Sequence, residues 1–174
     1  MSLLPRPRKS RAGERGEKTA LRAPSSPVER ALRFLTPGRR FERELRRHLS
    51  ASGIPPSAIE DTLARVRELG LIDDEETARA WIRDRLNLSP RGKELMKREL
   101  LSRGIQEAVA EAALHELATE ETMMESAVRV LERGRRHYAK LDLPIARRRM
   151  WAALARRGFS REESREAIRR FYDV

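Results

Sequence analysis

Residues 150–168 read MWAALARRGFSREESREAI, and two earlier stretches repeat the pattern: LRRHLSASGIPPSAIEDTL over 45–63 and MKRELLSRGIQEAVAEAAL over 96–114. Aligned on Gly53, Gly104 and Gly158, the copies stand 51 and 54 residues apart, and apolar residues return at fixed offsets. Eight positions before each glycine are Leu45, Met96 and Met150; four before are Leu49, Leu100 and Leu154. One after are Ile54, Ile105 and Phe159, and ten after are Leu63, Leu114 and Ile168. A step of four is one face of a helix, and a glycine beyond the last apolar residue is the left-handed position just past a helix end. The next apolar residue then packs back onto the last turn, and a further helix begins two or three residues on. Each phrase is therefore helix, tight turn, helix. A period near fifty residues reads as a tandem array of small units, each with too little core to stand alone, so that neighbours stack.

A helix precedes every phrase. In the first unit Ala31, Phe34 and Leu35 share a face that Thr36-Pro37-Gly38 stops, because a residue before proline avoids the helical region. Phe41, Leu45 and Leu49 step through a second helix, and Ile59, Leu63, Val66 and Leu69 through a third that ends at Gly70. In the second unit Asp73-Asp74 is an N-cap, with Glu75 and Glu76 in the first turn where negative charge complements the helix dipole. Ala78, Trp81, Ile82 and Leu86 form that helix's face, and Asn87-Leu88-Ser89-Pro90 breaks it. Helices carrying Leu95, Met96 and Leu100, then Ile105, Val109, Ala113 and Leu117, complete the unit. In the third, Thr119 is predicted to cap one long helix, with Thr122 as an alternative start, through Ala127, Val130, Leu131 and Tyr138, with Gly134 inside it. Leu141-Asp142-Leu143-Pro144 is predicted as a turn, Ile145, Arg149 and Trp151 as the opening of the next helix, and Ser160 as the cap of the last, which holds Ser164, Ile168 and Phe171.

The expected fold is all-α: three tandem three-helix, helix-turn-helix-like units over 28–70, 71–118 and 119–174, forming an elongated, curved body. Residues 1–27 mix Pro, Gly, Ser and Arg with few apolar side chains, a composition expected of a disordered basic arm. The chain of 174 residues has no cysteine, so disulfides and thiol chemistry are excluded, which fits a reducing cytoplasm. No apolar run approaches the roughly 20 residues needed to cross a bilayer, and no secretory signal is expected.

The net charge is +11, and it is unevenly placed. Residues 1–24 hold seven Lys or Arg against two Glu, residues 25–128 hold 17 basic against 19 acidic side chains, and residues 158–174 are balanced at four each. Residues 129–157 hold ten basic against two acidic. That block is an electrostatic footprint for DNA or for an acidic protein groove. Its candidate partner-binding residues are Arg133, Arg135, Arg136 and Lys140 on the predicted long helix, and Arg147, Arg148, Arg149, Arg156 and Arg157 on the next.

Catalytic chemistry is not expected. His48, His115 and His137 are dispersed, Asp73-Asp74-Glu75-Glu76 is explained by helix capping, and no phosphate-cradling glycine loop or nucleophile elbow occurs. Trp81 and Trp151 each fall on an apolar helical face and read as core anchors rather than base-stacking platforms, which present several aromatics together.

In the middle unit, Leu69-Gly70-Leu71-Ile72-Asp73-Asp74 leads to Ala78, Trp81-Ile82, Arg85, Gly92, Glu99-Leu100 and Arg103-Gly104-Ile105. This order resembles the RecX family of bacterial regulatory proteins. Ala31, Phe34-Leu35, Arg40, Glu44-Leu45 and Leu49 resemble its first unit, and Leu154 with Arg157-Gly158-Phe159 its third, so the resemblance runs over residues 28–172. The chain departs from the family's pattern at Gly38, Phe41 and Thr77. The resemblance implies a non-enzymatic, cofactor-free, cytoplasmic monomer that lies in the groove of a RecA filament on single-stranded DNA and bridges neighbouring RecA protomers. It would there restrain strand exchange, ATP hydrolysis and the coprotease activity that promotes LexA cleavage, in homologous recombination, DNA repair and the SOS response. Its partners would be the RecA filament and single-stranded DNA, directly or through the filament. A sequence-independent DNA-binding repeat protein is the alternative expectation, and a passive helical scaffold a third.

Overall fold

The computed structural model describes residues 26–173, and every regular element among them is a helix. The first unit comprises α1 (Pro27–Leu35), α2 (Glu42–Ala51) and α3 (Pro56–Glu68). The second comprises α4 (Asp74–Asn87), α5 (Lys93–Ser102) and α6 (Glu107–Leu117). The third comprises α7 (Glu120–Glu132), a single turn α8 (Arg135–Tyr138), α9 (Leu143–Ala155) and α10 (Arg161–Tyr172). The expected basic arm lies outside the described residues except at its end. Ser26 and Pro27 belong to the fold instead. The Ser26 hydroxyl accepts from the Glu29 N–H at 3.1 Å, the Glu29 carboxylate accepts from the Ser26 N–H at 3.2 Å, and Pro27 takes the first helical position, where no N–H is needed.

The repeated glycines perform the predicted turn. Gly53, Gly104 and Gly158 have φ of 75°, 96° and 79°, the left-handed region that a Cβ disfavours. Past each of them an apolar residue donates its N–H five residues back: Ile54 to Leu49 at 3.3 Å, Ile105 to Leu100 at 3.2 Å and Phe159 to Leu154 at 3.3 Å. The glycine itself bonds to Ser50, Leu101 or Ala155 at 2.9–3.0 Å. These two bonds satisfy carbonyls orphaned at the helix end and fold the chain so that the next helix crosses the last.

Three units make two cores. Ala31, Leu45, Leu49, Ile59, Leu63, Val66 and Ile72 enclose the first. The second is continuous from Ala78 in α4 to Phe171 in α10, so the second and third units share one interior. Their joint is a backbone contact. The Gly92 N–H donates to the Arg157 carbonyl at 2.7 Å, and a Cβ on Gly92 would stand 1.8 Å from the Gly158 oxygen. Nearby the buried Ser126 hydroxyl donates to the Leu86 carbonyl at 3.0 Å, a partner for the frayed end of α4.

The first unit joins the second differently, through one apolar plug and a polar seam. Phe41, 2% exposed, is buried with the second unit's core, and the Arg103 guanidinium lies over both Phe41 and Trp81, at 5.7 and 5.9 Å from their ring centres. Arg103 also pairs with Glu44 at 2.5 Å, and Arg39 with Glu76 at 3.0 Å. The Asp74 carboxylate accepts the Glu42 N–H at 2.9 Å, so the first turn of α2 is capped by a residue of the next unit. Burial pushes the Asp74 carboxyl above the usual aspartate range, with the neighbouring Glu42, Asp73 and Glu44 carboxylates acting in the same direction.

In the third unit the predicted long helix is two pieces. α7 ends at Glu132, and Gly134, at φ −99°, separates it from α8; the Tyr138 ring packs over Gly134, with a ring carbon 2.5 Å from where a Cβ would stand. Conversely the predicted turn at Leu143-Pro144 is helical. Asp142 is the N-cap of α9 and Pro144 lies in its first turn, where proline's fixed φ suits the helix and its missing N–H removes no bond.

Two stability measurements check these joints. Gly92→Ala is expected to cost about 1–3 kcal/mol in urea unfolding, because it overpacks the shared joint, whereas Gly53→Ala meets open space and pays only for its left-handed backbone, about 1–2 kcal/mol. The folded chain holds the Asp74 proton more tightly than the unfolded chain, so ionising it loses stability as pH rises through the ordinary aspartate value to the raised one. Asp74→Asn keeps an acceptor for Glu42 without that loss. Its stability relative to wild type should therefore be higher near pH 7 than near pH 3, and equal differences at both would contradict the buried-carboxylate account.

Candidate functional site

The first two units neutralise their own charge. Arg46 pairs with Glu42 and Glu60, Arg67 with Glu42 at 2.6 Å and Arg79 with Glu116 at 3.0 Å, while Lys97 bridges Glu107 and Glu111 at 2.7 Å each. The Arg67 guanidinium holds the Glu42 carboxyl below the usual range, and Glu107 and Glu111 hold the Lys97 ammonium above its own. Asp73 caps α4 by accepting from the Glu76 N–H at 2.9 Å, Glu75 meets Arg79, and Glu76 meets Arg39 and Arg83. The acidic run is thus occupied by capping and ion pairs.

The third unit behaves otherwise. Of its nine candidate residues, Arg135 alone forms an ion pair among the described residues. It grips Glu132 with two bonds of 2.7 and 2.5 Å, holds that carboxyl below its usual range, and lies 4.5 Å from the Phe171 ring centre. Its role is to seal α7 and α8 onto α10. Arg133 donates to the Asn87 carbonyl at 3.3 Å across the joint with α4. Arg157 is half-buried and donates to the Ala153 carbonyl at 3.2 Å. These three side chains are held by the fold.

The other six point outward. Arg147 leans over Tyr172, 5.9 Å from its ring centre, and Arg149 Nη1 lies 2.6 Å from His137 Nε2. This bond ties α8 to α9, so the two stretches of the basic block come together. Arg136, Lys140, Arg148 and Arg156 are exposed, and among the described residues no hydrogen bond or ion pair engages their side chains. A cation without an acidic neighbour keeps its full field for a partner.

The other sequence candidates do not converge. His48 stacks on Phe34 with ring centres 4.3 Å apart, His115 is exposed on α6, and His137 serves Arg149. Trp81 lies under the Arg85 guanidinium at 4.4 Å, and Trp151 is half-buried against the larger core, both in structural roles. Among the described residues no group of His, Asp and Glu is placed to hold a metal ion, and no helix is long and apolar enough to cross a membrane.

Sequence reading placed Leu143 in a turn and Ile145 at the opening of the next helix. Both lie exposed, 54% and 47%, on the first turn of α9 beside the basic block, so Leu143 is helical rather than part of a turn. The signal was the longer spacing before the third glycine. α2 and α5 each begin eleven residues before their glycine, and α9 begins fifteen before Gly158.

Comparison with known proteins adds the relationship. Residues 28–65, 73–114 and 120–168 match the first, second and third three-helix domains of RecX in turn. The regulatory protein RecX of Streptomyces coelicolor is 34% identical over 164 residues, covering 92% of this chain and 84% of that protein. That of Mycolicibacterium smegmatis is 34% identical over 140 residues, covering 79% and 74%. The crystal structure of RecX from Lactobacillus salivarius shares the fold, with a TM-score of 0.72 at 24% identity over 85% of this chain and 96% of that one. With all three domains matched in order and one third of residues shared with relatives along nearly its whole length, the chain belongs to the RecX family.

Proposed function

We propose that this protein binds RecA filaments on single-stranded DNA and, mainly by inhibition, modulates their recombinase, ATPase and coprotease activities. It would so act in homologous recombination, DNA repair and the SOS response. The observation that carries the reading is the contrast between units: two balanced by their own acids, and a third whose Arg136, Lys140, Arg148 and Arg156 are exposed and unengaged. A RecA–DNA filament is a polyanion with a helical groove, and cations held on a helical framework are attracted to it at long range. Membership in a family of named regulatory proteins supports a binding role without catalysis. Inhibition then follows from occupancy: a body seated across neighbouring RecA protomers opposes the changes in spacing that strand exchange and ATP turnover require. The protein acts as a cofactor-free cytoplasmic monomer in this reading, and its unpaired cations face acidic RecA surface or the DNA phosphates within the filament.

Titration into RecA, single-stranded DNA and ATP, following ATP hydrolysis and filament length, tests this directly. Stoichiometric amounts are expected to slow hydrolysis and shorten filaments. No change, together with tight binding to bare DNA, would leave the sequence-independent DNA-binding reading in its place. The combined Lys140→Glu, Arg148→Glu and Arg156→Glu variant breaks no contact within the protein, so stability should stay within about 0.5 kcal/mol, while inhibition weakens roughly tenfold or more. A variant that inhibits as wild type does would move the interface off this surface.

A further inference from the structure

One cleft of the first unit departs from the charge balance around it. Where α1, α2 and the loop between them meet, an open-sided cleft of about 490 Å³ is walled by Arg30, Arg33, Arg40 and His48 around the Phe34 ring. Among the described residues no carboxylate lines it. The Phe34 and His48 rings stack with centres 4.3 Å apart and planes 15° from parallel, and Arg40 lies over Phe34 at 5.3 Å from its ring centre. Arg30 is fixed in place by donating to the Ser52 carbonyl at 3.3 Å. Arg33 meets Glu29 at only 3.9 Å, with both side chains more than half exposed, and such a pair restrains a guanidinium little. Arg40 makes no hydrogen bond or ion pair among the described residues. Arg33 and His48 sit in the last turns of α1 and α2, where a cation complements the helix dipole. That accounts for one cation in each helix, but not for Arg40, which stands outside both, nor for the lack of an acid facing the three.

We infer that this cleft binds a nucleotide, its phosphates held between Arg33 and Arg40 and its base laid against the Phe34–His48 stack. A cleft lined by charge of one sign focuses its field on an anion, and guanidinium forks match phosphate oxygens in pairs. The stacked rings offer what a bare phosphate would not use, because an aromatic face receives a base of any identity. The volume lies within the roughly 300–1,000 Å³ of small-molecule sites. A free nucleotide and the terminal unit of a strand present the same phosphate and ring, so both are ligands of this chemistry. The cleft belongs to the first unit and uses none of the third unit's cations, so it stands or falls separately from the function proposed above.

Titration of the full chain with fluorescent N-methylanthraniloyl-ATP tests this, and binding is expected to saturate at a single site. In the Arg33→Gln, Arg40→Gln pair affinity should fall roughly tenfold to a hundredfold, the loss of two charge-assisted hydrogen bonds. Its thermal unfolding midpoint should not change, since both side chains are exposed. The Lys140→Glu, Arg148→Glu, Arg156→Glu variant should bind the probe as wild type does, which separates the cleft from general attraction to basic surface. His48→Ala, which keeps the arginines and removes the stacked ring, should bind the probe roughly tenfold more weakly. Unlabelled ATP should displace the probe at lower concentration than inorganic triphosphate does. A thymidine tetranucleotide carrying a 5′ phosphate, compared with ATP, tells a strand end from a free nucleotide as the preferred source. No saturable binding, equal displacement by inorganic triphosphate, or undiminished binding by the Arg33→Gln, Arg40→Gln pair would overturn the inference.

Discussion

The hydrogen bond from an apolar residue past a left-handed glycine to the carbonyl five residues earlier is the constraint from which each unit is built. Ile54, Ile105 and Phe159 make it to Leu49, Leu100 and Leu154. The bond ends a helix, sets the direction of the next, and drives the apolar side chain onto the turn that has just closed. Any other residue at the glycine would pay for positive φ, and a polar residue after it would leave the inner face of the last turn bare. Because the turn is local, three copies fold the same way even though α5 begins with Gly92 as its cap, α2 with Phe41 and α9 with Asp142.

The joints between units are not local, and they differ. The second and third units meet where Gly92 and the Arg157-Gly158 backbone touch, a separation that no side chain could share, and beyond that contact one core is continuous. The first and second meet through Phe41, the Arg103 guanidinium stacked on it, and a seam of ion pairs around Asp74 and Glu44. Apolar continuity resists separation more than a seam of partly solvated pairs does, since exposed pairs contribute little each. The body is therefore a fused pair of units with a third joined to it by polar contacts.

Charge follows this division. Acids lie opposite bases within the first two units, and ion pairs there engage most of the basic side chains. In the third unit, where Glu132 is taken by Arg135, the remaining cations project from α8, α9 and the turns beside them. The excess that composition places in residues 129–157 becomes a surface because the Arg149–His137 bond draws two separate stretches of chain together.

Much of this was legible in the sequence. The glycine offsets give three copies of one turn, the four-residue apolar steps give the helices, Asp73, Thr119 and Ser160 act as caps, and the basic block is visible by counting. All of these depend on residues within one or two helical turns of each other, which is the range that periodicity and capping report. What sequence reading missed depends on contacts distant along the chain. Phe41 leaves its own unit's core for the next. Arg133, Arg135 and Arg157 are spent on packing, while Leu143 and Ile145 are apolar yet face solvent. Local chemistry determined the units and where their charge lies. Only the tertiary structure decided which side chains the joints between units consume and which remain free for a partner, because that depends on what each side chain meets from another part of the chain.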